Sequence, residues 1–304
     1  MNSADHSPAI SVVMSVYNGQ KYLPEAVESI LAQTCSDFEF IVIDDGSSDS
    51  SMQILRNYQK DDTRIIVHHQ KNSGLSRALN NGIALARGRY IARMDADDVA
   101  ALDRLEKQLA FMESNSTVVL SGTGVMRTDP FGIPLFPSPL AYEHDEIDAE
   151  LLIGNGSALC HPSVIMRTEV VKAVGGYREE FNLAEDLDLF LRLAEMGRVA
   201  NLSEVLLFWR QHPSSTNHTK RARQVELTRE ILSQEYARRG LRYEDLRLVG
   251  GAEIPLADWL IQWGWNALSK GFRKEAFFHA LSALKQNPFS IMSYKLLACI
   301  IRGH

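Results

Sequence analysis

The sequence predicts an α/β protein: a Rossmann-like, mostly parallel sheet flanked by helices, followed by a small all-helical C-terminal region. Three observations predict it. Short apolar runs alternate with helical periodicity along residues 9–100. Two of those runs end in clusters of acids. Near residue 217 the chain changes to charged helical segments, separated by Gly271 and by Asn287-Pro288.

The elements follow in order. Ser11 to Val16 is an apolar strand ending in Tyr17-Asn18-Gly19, and Leu23 to Ala32 has helical spacing. Phe38 to Ile43 is a second strand, closed by Asp44-Asp45-Gly46-Ser47-Ser48-Asp49, with a helical pattern over Ser50 to Tyr58. Ile65 to His68 is the third strand, Leu75 to Ala86 the next helix, and Tyr90 to Met94 the fourth strand; Leu102 to Met112 is helical again. Strand and helix in alternation predict parallel pairing, and ligands of such sheets bind beyond the carboxyl ends of the strands. Both acidic turns fall there, so both are expected to line one crevice.

The second turn, Met94-Asp95-Ala96-Asp97-Asp98, places three carboxylates in four residues. Acids packed this tightly repel one another unless something positive sits among them. A hard divalent cation with oxygen ligands, Mn²⁺ or Mg²⁺, answers that need. A calcium loop does not fit, because Val99 stands at position five and Ala100 where glycine is required.

Composition bounds the function. The chain has 304 residues, 45% hydrophobic and 23% charged, which is ordinary for a globular protein. A net charge of −6 argues against nucleic-acid binding by charge alone. No stretch reaches the roughly 18 apolar residues of a spanning helix, and MNSADHSP lacks the pattern of a signal peptide. Cys35, Cys160 and Cys299 have neither disulfide-framework nor zinc spacing. The expectation is a cytoplasmic protein, with the inner face of the plasma membrane as a candidate location. After Val16 the chain reads Tyr-Asn-Gly-Gln, not GxGxxG, and no GxxxxGK[ST] occurs, so dehydrogenases and P-loop enzymes fit poorly.

SVVMSVYNGQKYLPEAVESILAQT, FEFIVIDDGSSD and NSGLSRALNNGIALARGRYIARMDADD, followed by HPSVIMR, GGY, AEDLDLFLRL and FWRQH, occur in order over residues 9–215. Together they resemble the inverting, GT-A-fold glycosyltransferases of family 2, in the bacterial branch that builds surface polysaccharides. The resemblance implies a GT-A domain over residues 1–216, with a nucleotide-sugar half near 9–100 and an acceptor half near 101–216, and a helical region over 217–304. It implies transfer of a sugar from a nucleotide-diphosphate donor, with uridine the first candidate base, to a saccharide or lipid-linked acceptor.

Residue by residue, it implies that Val16, Tyr17, Asn18 and Ala96 line the donor, and that Asp45 contacts the base with Asp44 as a further partner. Asp95 would reach the ribose or the cation's water shell, and Asp97 or Asp98 would bind the cation. Arg77 would lie near the donor, while Asn72 and Gly74 shape the preceding loop. Asp186, beside Glu185 at a helix start, would be the general base. His161 would stand on the acceptor side. Arg210 and His212 would approach the diphosphate, ahead of a polar loop at Ser214 and Ser215 that closes over the donor.

The tail carries helical patterns over Glu226 to Arg239, Leu256 to Lys270, Phe272 to Gln286 and Phe289 to Arg302, with an aromatic stripe at Trp259 and Trp263 that reads as core packing against the catalytic domain. The middle pair resembles a single tetratricopeptide-like hairpin. The last segment is apolar on a wide face but too short to span, so a membrane surface is a candidate partner. Two function classes follow: a catalytic transferase, favoured by Asp45, Asp95, Asp97, Asp98 and Asp186 occurring together, or a non-catalytic sugar-nucleotide-binding scaffold with a partner-binding tail. A nucleotidyltransferase would show a basic, glycine-rich N-terminal loop, which MSVYNGQKY is not.

Overall fold

In the computed structural model, residues 7–213, 221–242 and 255–302 are described. Four strands, β1 (Ile10–Val16), β2 (Phe38–Asp44), β3 (Ile65–His69) and β4 (Tyr90–Asp95), pair in parallel in the order β3-β2-β1-β4. Helices α1 (Leu23–Leu31), α2 (Ser51–Asp61) and α3 (Leu75–Leu85) connect them. The period of two along each strand sorts its side chains between two cores. Val12, Met14, Phe40, Val42, Ala92 and Met94 pack on one side with Leu23, Val27 and Ile30 of α1 and Leu55 of α2. Val13, Ile41, Ile43 and Ile91 pack on the other with Ala78, Leu79 and Ile83 of α3. Because β1 sends the chain to β2 on one side and has β4 on the other, the crevice expected at a switch of strand order opens at its carboxyl end. Register puts Val16 opposite Asp44 and Ser15 opposite Asp95, so both acidic turns leave the sheet at that edge.

The remaining strands extend the sheet beyond β4. They are β5 (Val99–Ala100), β6 (Val118–Thr128), β7 (Pro134–Pro137), β8 (Ile165–Arg167) and β9 (Arg198–Arg210). The full order is β3-β2-β1-β4-β8-β6-β9-β5, with β7 paired to β6, and β8 runs antiparallel to both β4 and β6. Helices α4 (Arg104–Ser114), α5 (His144–Leu152), α6 (Thr168–Ala173) and α7 (Glu185–Ala194) cover it. Helix α8 (Arg221–Arg238) follows, then α9 (Leu256–Ser269), α10 (Arg273–Gln286) and α11 (Ile291–Arg302).

One close approach fixes how β4 enters the sheet. A Cβ on Gly88 would stand 2.5 Å from the Ser11 amide nitrogen and 2.7 Å from the Ile10 carbonyl carbon, both backbone atoms of β1. Gly88→Ala is therefore expected to cost about 1–3 kcal/mol, measured as a fall in thermal stability.

By compactness the described chain divides in two, and the division does not follow residue 216. One unit comprises the described residues of Met1–Met126, Pro137–Trp209 and Lys220–Leu248. Helix α8 belongs to it because Leu227, Ile231 and Leu232 are buried in the same core as Leu191 and Leu193 of α7. The other unit takes Arg127–Phe136 and the described residues of Arg210–Thr219 and Val249–His304. There the 127–136 hairpin joins the last helices. Asp129 and His279, both buried, pair at 2.8 Å, and Ile133 shares a core with Ala276, Ala280 and Leu296. Trp263 is buried in this unit against His279 and Trp259.

Candidate active site

Where β4 ends, Asp95, Asp97 and Asp98 bring carboxylate oxygens within 4.8 Å of one another. Asp98 is buried, while Asp95 and Asp97 are half-buried. Three hard oxygen donors at this spacing fit a divalent cation of the Mg²⁺ or Mn²⁺ kind. The strand end beneath is held by Arg104, fully buried, whose guanidinium donates to the Arg93 carbonyl at 2.8 Å and to Gln108 Oε1 at 3.0 Å. Burial pushes Arg104 down to about 10.

A charge that the sequence reading passed over lies at the centre. Arg93 is 2% exposed, and its Nη1 stands 2.5 Å from Asp95 Oδ2. Its burial opposes the charged form, but Asp95 first, with Asp98 beyond it, holds it firmly protonated. The same guanidinium acts electrostatically on His161, Glu185 and Asp186, so side chains more than ninety residues apart in sequence share one site. A sequence signal for it existed. Arg93 and Asp95 are two residues apart on one strand, so they face the same side of the sheet.

The acidic pair opens α7 as expected. Glu185 is buried, and its Oε2 accepts the Leu183 amide at 2.6 Å; Asp186 is half-buried, and its Oδ1 accepts the Leu187 amide at 2.8 Å. Leu183 has φ 97°, a backbone region costly for a residue with a side chain, and such outliers concentrate at functional sites. Burial raises both carboxyls above their ordinary range, and for Glu185 the neighbouring Asp186 charge adds to it. Asp188 faces away into a double ion pair with Arg178 and Arg192 and is structural.

The raised pair has a pH consequence with a definite sign. Protons are held to higher pH in the folded chain than in the unfolded one. The stability this pair contributes is thus fully present below the ordinary carboxylate range and is lost as pH rises through the raised folded values. A reaction that needs one of them ionised is expected to show an acid limb displaced upward from about 4, read from the pH dependence of kcat.

His161 is buried, with Nε2 2.7 Å from the Tyr177 hydroxyl and its ring edge-on to Phe190. Burial, then Arg93, lowers its pKa well below the usual value, so it is neutral at pH 7. Tyr177 is itself fixed through its backbone by Asn80.

The two loops on the donor side are fastened to each other. Asn18, at φ 53°, accepts the Ser48 amide at 2.8 Å and donates its own amide to Ser47 Oγ at 3.0 Å. The Gly19 amide donates to Ser51 Oγ at 2.9 Å and the Gln20 amide to Asp49 Oδ2 at 3.0 Å. Val16 is buried beneath, and Tyr17 is 57% exposed. Asp45 is buried with both oxygens engaged: Oδ1 accepts the Ser73 amide and Gln70 Nε2, and Oδ2 accepts the Gly74 amide. It therefore pins the loop ahead of α3. Asp44, fully buried, pairs with His69 at 2.7 Å. Arg77 makes a forked, exposed ion pair with Glu179 at 2.6 Å. Ala96 lies in the MDADD turn and is half-buried.

Arg210 and His212, both buried, lie in the second compact unit, where Arg210 Nη1 donates to the Pro130 carbonyl at 3.3 Å. Ser214 and Ser215 lie outside the described residues.

The mixed sheet, its helices and the acidic turn at a switch of strand order define the GT-A glycosyltransferase fold. The sequence pattern of glycosyl transferase family 2 matches residues 11–174, more than half of the chain. The O-antigen biosynthesis glycosyltransferase WbnJ of Escherichia coli is 37% identical over 212 residues, 68% of this chain and 81% of that one. Among solved structures, residues 1–349 of Staphylococcus aureus TarS, in complex with UDP-GlcNAc, superpose with a TM-score of 0.59 at 18% identity, covering 97% of this chain and 88% of that one. The mannosyltransferase PcManGT of Pyrobaculum calidifontis, with GDP-Man and Mn²⁺, gives 0.55 at 17% identity, covering 98% and 81%. The chain belongs to glycosyl transferase family 2 and is a glycosyltransferase.

Proposed function

We propose that this chain is an inverting, metal-dependent transferase that moves a hexosyl or N-acetylhexosaminyl group from a nucleotide-diphosphate donor, UDP first among the candidates, to a saccharide or lipid-linked acceptor in cell-surface polysaccharide synthesis. The observation that carries this reading is the electrostatic union of the Asp95–Asp98 turn with Glu185–Asp186 across buried Arg93. An acid cluster that suits a cation and a pair of carboxyls with raised pKa values serve the two demands of the reaction: a place for a diphosphate and a base.

The roles divide as follows. Val16, Tyr17, Asn18 and Asp44 border the base of the donor. Asp45 approaches the base from the loop it pins, and Arg77 turns from Glu179 toward the donor. Asp95 faces the ribose, with Ala96 beside it. Asp97 and Asp98 would hold the cation; when bound, Mn²⁺ or Mg²⁺ supplies positive charge for the diphosphate oxygens of the leaving group. Asp186 takes the proton of the acceptor hydroxyl as that oxygen attacks the anomeric carbon. The bond to the nucleoside diphosphate breaks in the same displacement, so the configuration inverts. Glu185 positions Asp186 by holding Leu183, and neutral His161 stands on the acceptor side. The protein works in the cytoplasm at the inner face of the plasma membrane, where a lipid-linked acceptor would be met.

The experiment is a proton NMR time course of donor consumption with an accepted sugar. The product is expected to appear with the anomeric configuration opposite to that of the donor. Retention would remove the single displacement and with it Asp186 as base. A further expectation concerns the turn itself: Asp98→Ala weakens nucleotide binding in Mn²⁺ buffer by at least about tenfold, read by calorimetry, and leaves the residual binding indifferent to chelator.

A further inference from the structure

We propose that the outward face of α11, with Phe289 at its N-terminal corner, docks on an anionic lipid bilayer. The helix buries Ser293, Leu296 and Ile300 in its own unit. A surface helix ordinarily turns polar residues outward from such a stripe. Here large apolar side chains are exposed as well: Ile291 is 70% exposed, Tyr294 56% and Ile301 77%, and Phe289 before them is 91% exposed. Exposed Lys295 and Arg302 flank these side chains. Helix α10 repeats the pattern, with Phe277 and Phe278 exposed between Lys274 and Lys285.

Charge selects the occupant. Residues 255–302 hold six Lys and Arg against two acids, Asp258 and Glu275, in a chain whose net charge is −6. A two-fold contact between copies would set this cationic face against itself. An anionic membrane surface complements it: apolar tips enter the headgroup boundary while Lys and Arg reach the phosphates. No helix among the described residues is long and apolar enough to cross a membrane, so this contact lies on the bilayer. The inference rests on the function proposed above only for the lipid-linked class of acceptor.

The test is co-sedimentation of the full chain with phosphatidylcholine vesicles and with vesicles of phosphatidylcholine and phosphatidylglycerol, alongside a thermal-shift assay with UDP and Mn²⁺ on the same preparation. The expected result is binding to the anionic vesicles, weakened by salt, and little to the neutral ones. Lys295→Glu and Arg302→Glu are each expected to lower the partition at least roughly fivefold, and Phe289→Ser with Ile301→Ser to lower it further, all with the nucleotide shift unchanged. Equal binding to both vesicles, or none, with the nucleotide shift intact overturns the docking surface alone. Self-association in solution that Ile301→Ser abolishes also overturns it. Vesicle binding without any nucleotide shift sustains the surface and counts against the donor reading instead.

Discussion

Asp186→Asn is expected to remove transfer while leaving donor binding nearly intact. The asparagine is isosteric, and its Oδ1 can still accept the Leu187 amide that now meets Asp186 at 2.8 Å. The backbone at the start of α7 therefore keeps its conformation. What is lost is the ionised oxygen that takes the acceptor proton, a contribution worth roughly 10²–10⁴-fold in rate. The loss falls on kcat, because the MDADD turn and the 17–20 and 45–51 loops, which are to hold the donor, do not use Asp186. Glu185→Ala is a useful contrast. Its Oε2 holds the strained Leu183, so its substitution disturbs the position of the base as well as its charge environment. If Asp186→Asn kept the wild-type kcat with unchanged donor affinity, the base would have to be sought elsewhere.

Arg93→Met is expected to be the most damaging single substitution for stability. The guanidinium is buried and serves Asp95 directly, with Asp98, Glu185 and Asp186 within its field. Removing one partner of a buried charge pair leaves the others uncompensated, at about 3–5 kcal/mol. For a domain of this size that is a Tm loss on the order of 10 °C. The loss has a pH signature. Without Arg93 the carboxyls are pushed still higher, so the folded variant binds more protons than the unfolded chain, and its deficit narrows as pH falls. Arg93→Lys keeps the charge but not the planar fork and is expected to fall between the two. An Arg93→Met protein as stable as the wild type would mean that the acids are balanced in some other way.

The parallel half of the sheet was legible because its strands repeat a period of two and its helices a period near 3.6, so each element announces itself locally. The observed strands β1 to β4 differ from the sequence reading by one residue at their ends. The extension of the sheet was not legible. In β6, Gly122 and Gly124 interrupt the apolar run, yet the fold requires them: a Cβ on Gly122 would strike Asn201, and one on Gly124 would lie 2.5 Å from the Glu204 carbonyl oxygen. Those partners are about eighty residues away, on β9, and no local pattern encodes them. Helix α5 was hidden for a similar reason, since only Ile147 and Leu151 of its nine residues are buried.

The site divides along the same line. The acidic turns and the Glu185–Asp186 pair are contiguous in sequence and could be read as motifs. Arg93 sits in an apolar-rich run, and its burial follows only from acids that meet it in three dimensions. Asp45 could be read from its turn motif, but the amides of Ser73 and Gly74 that hold it, across 28 and 29 residues, could not. The boundary between units was obscured in the same way, because Asp129 and His279 are 150 residues apart.

The measurement that tests the central claim most directly is thermal unfolding of the wild-type protein with UDP, TDP, GDP and CDP, each in Mn²⁺, in Mg²⁺ and in chelator. The account predicts that one nucleotide stabilises the chain in the presence of metal, that chelator removes the shift, and that Asp97→Ala and Asp98→Ala diminish it. A shift of equal size with and without chelator, undiminished in both variants, would contradict a metal-held diphosphate at the end of β4.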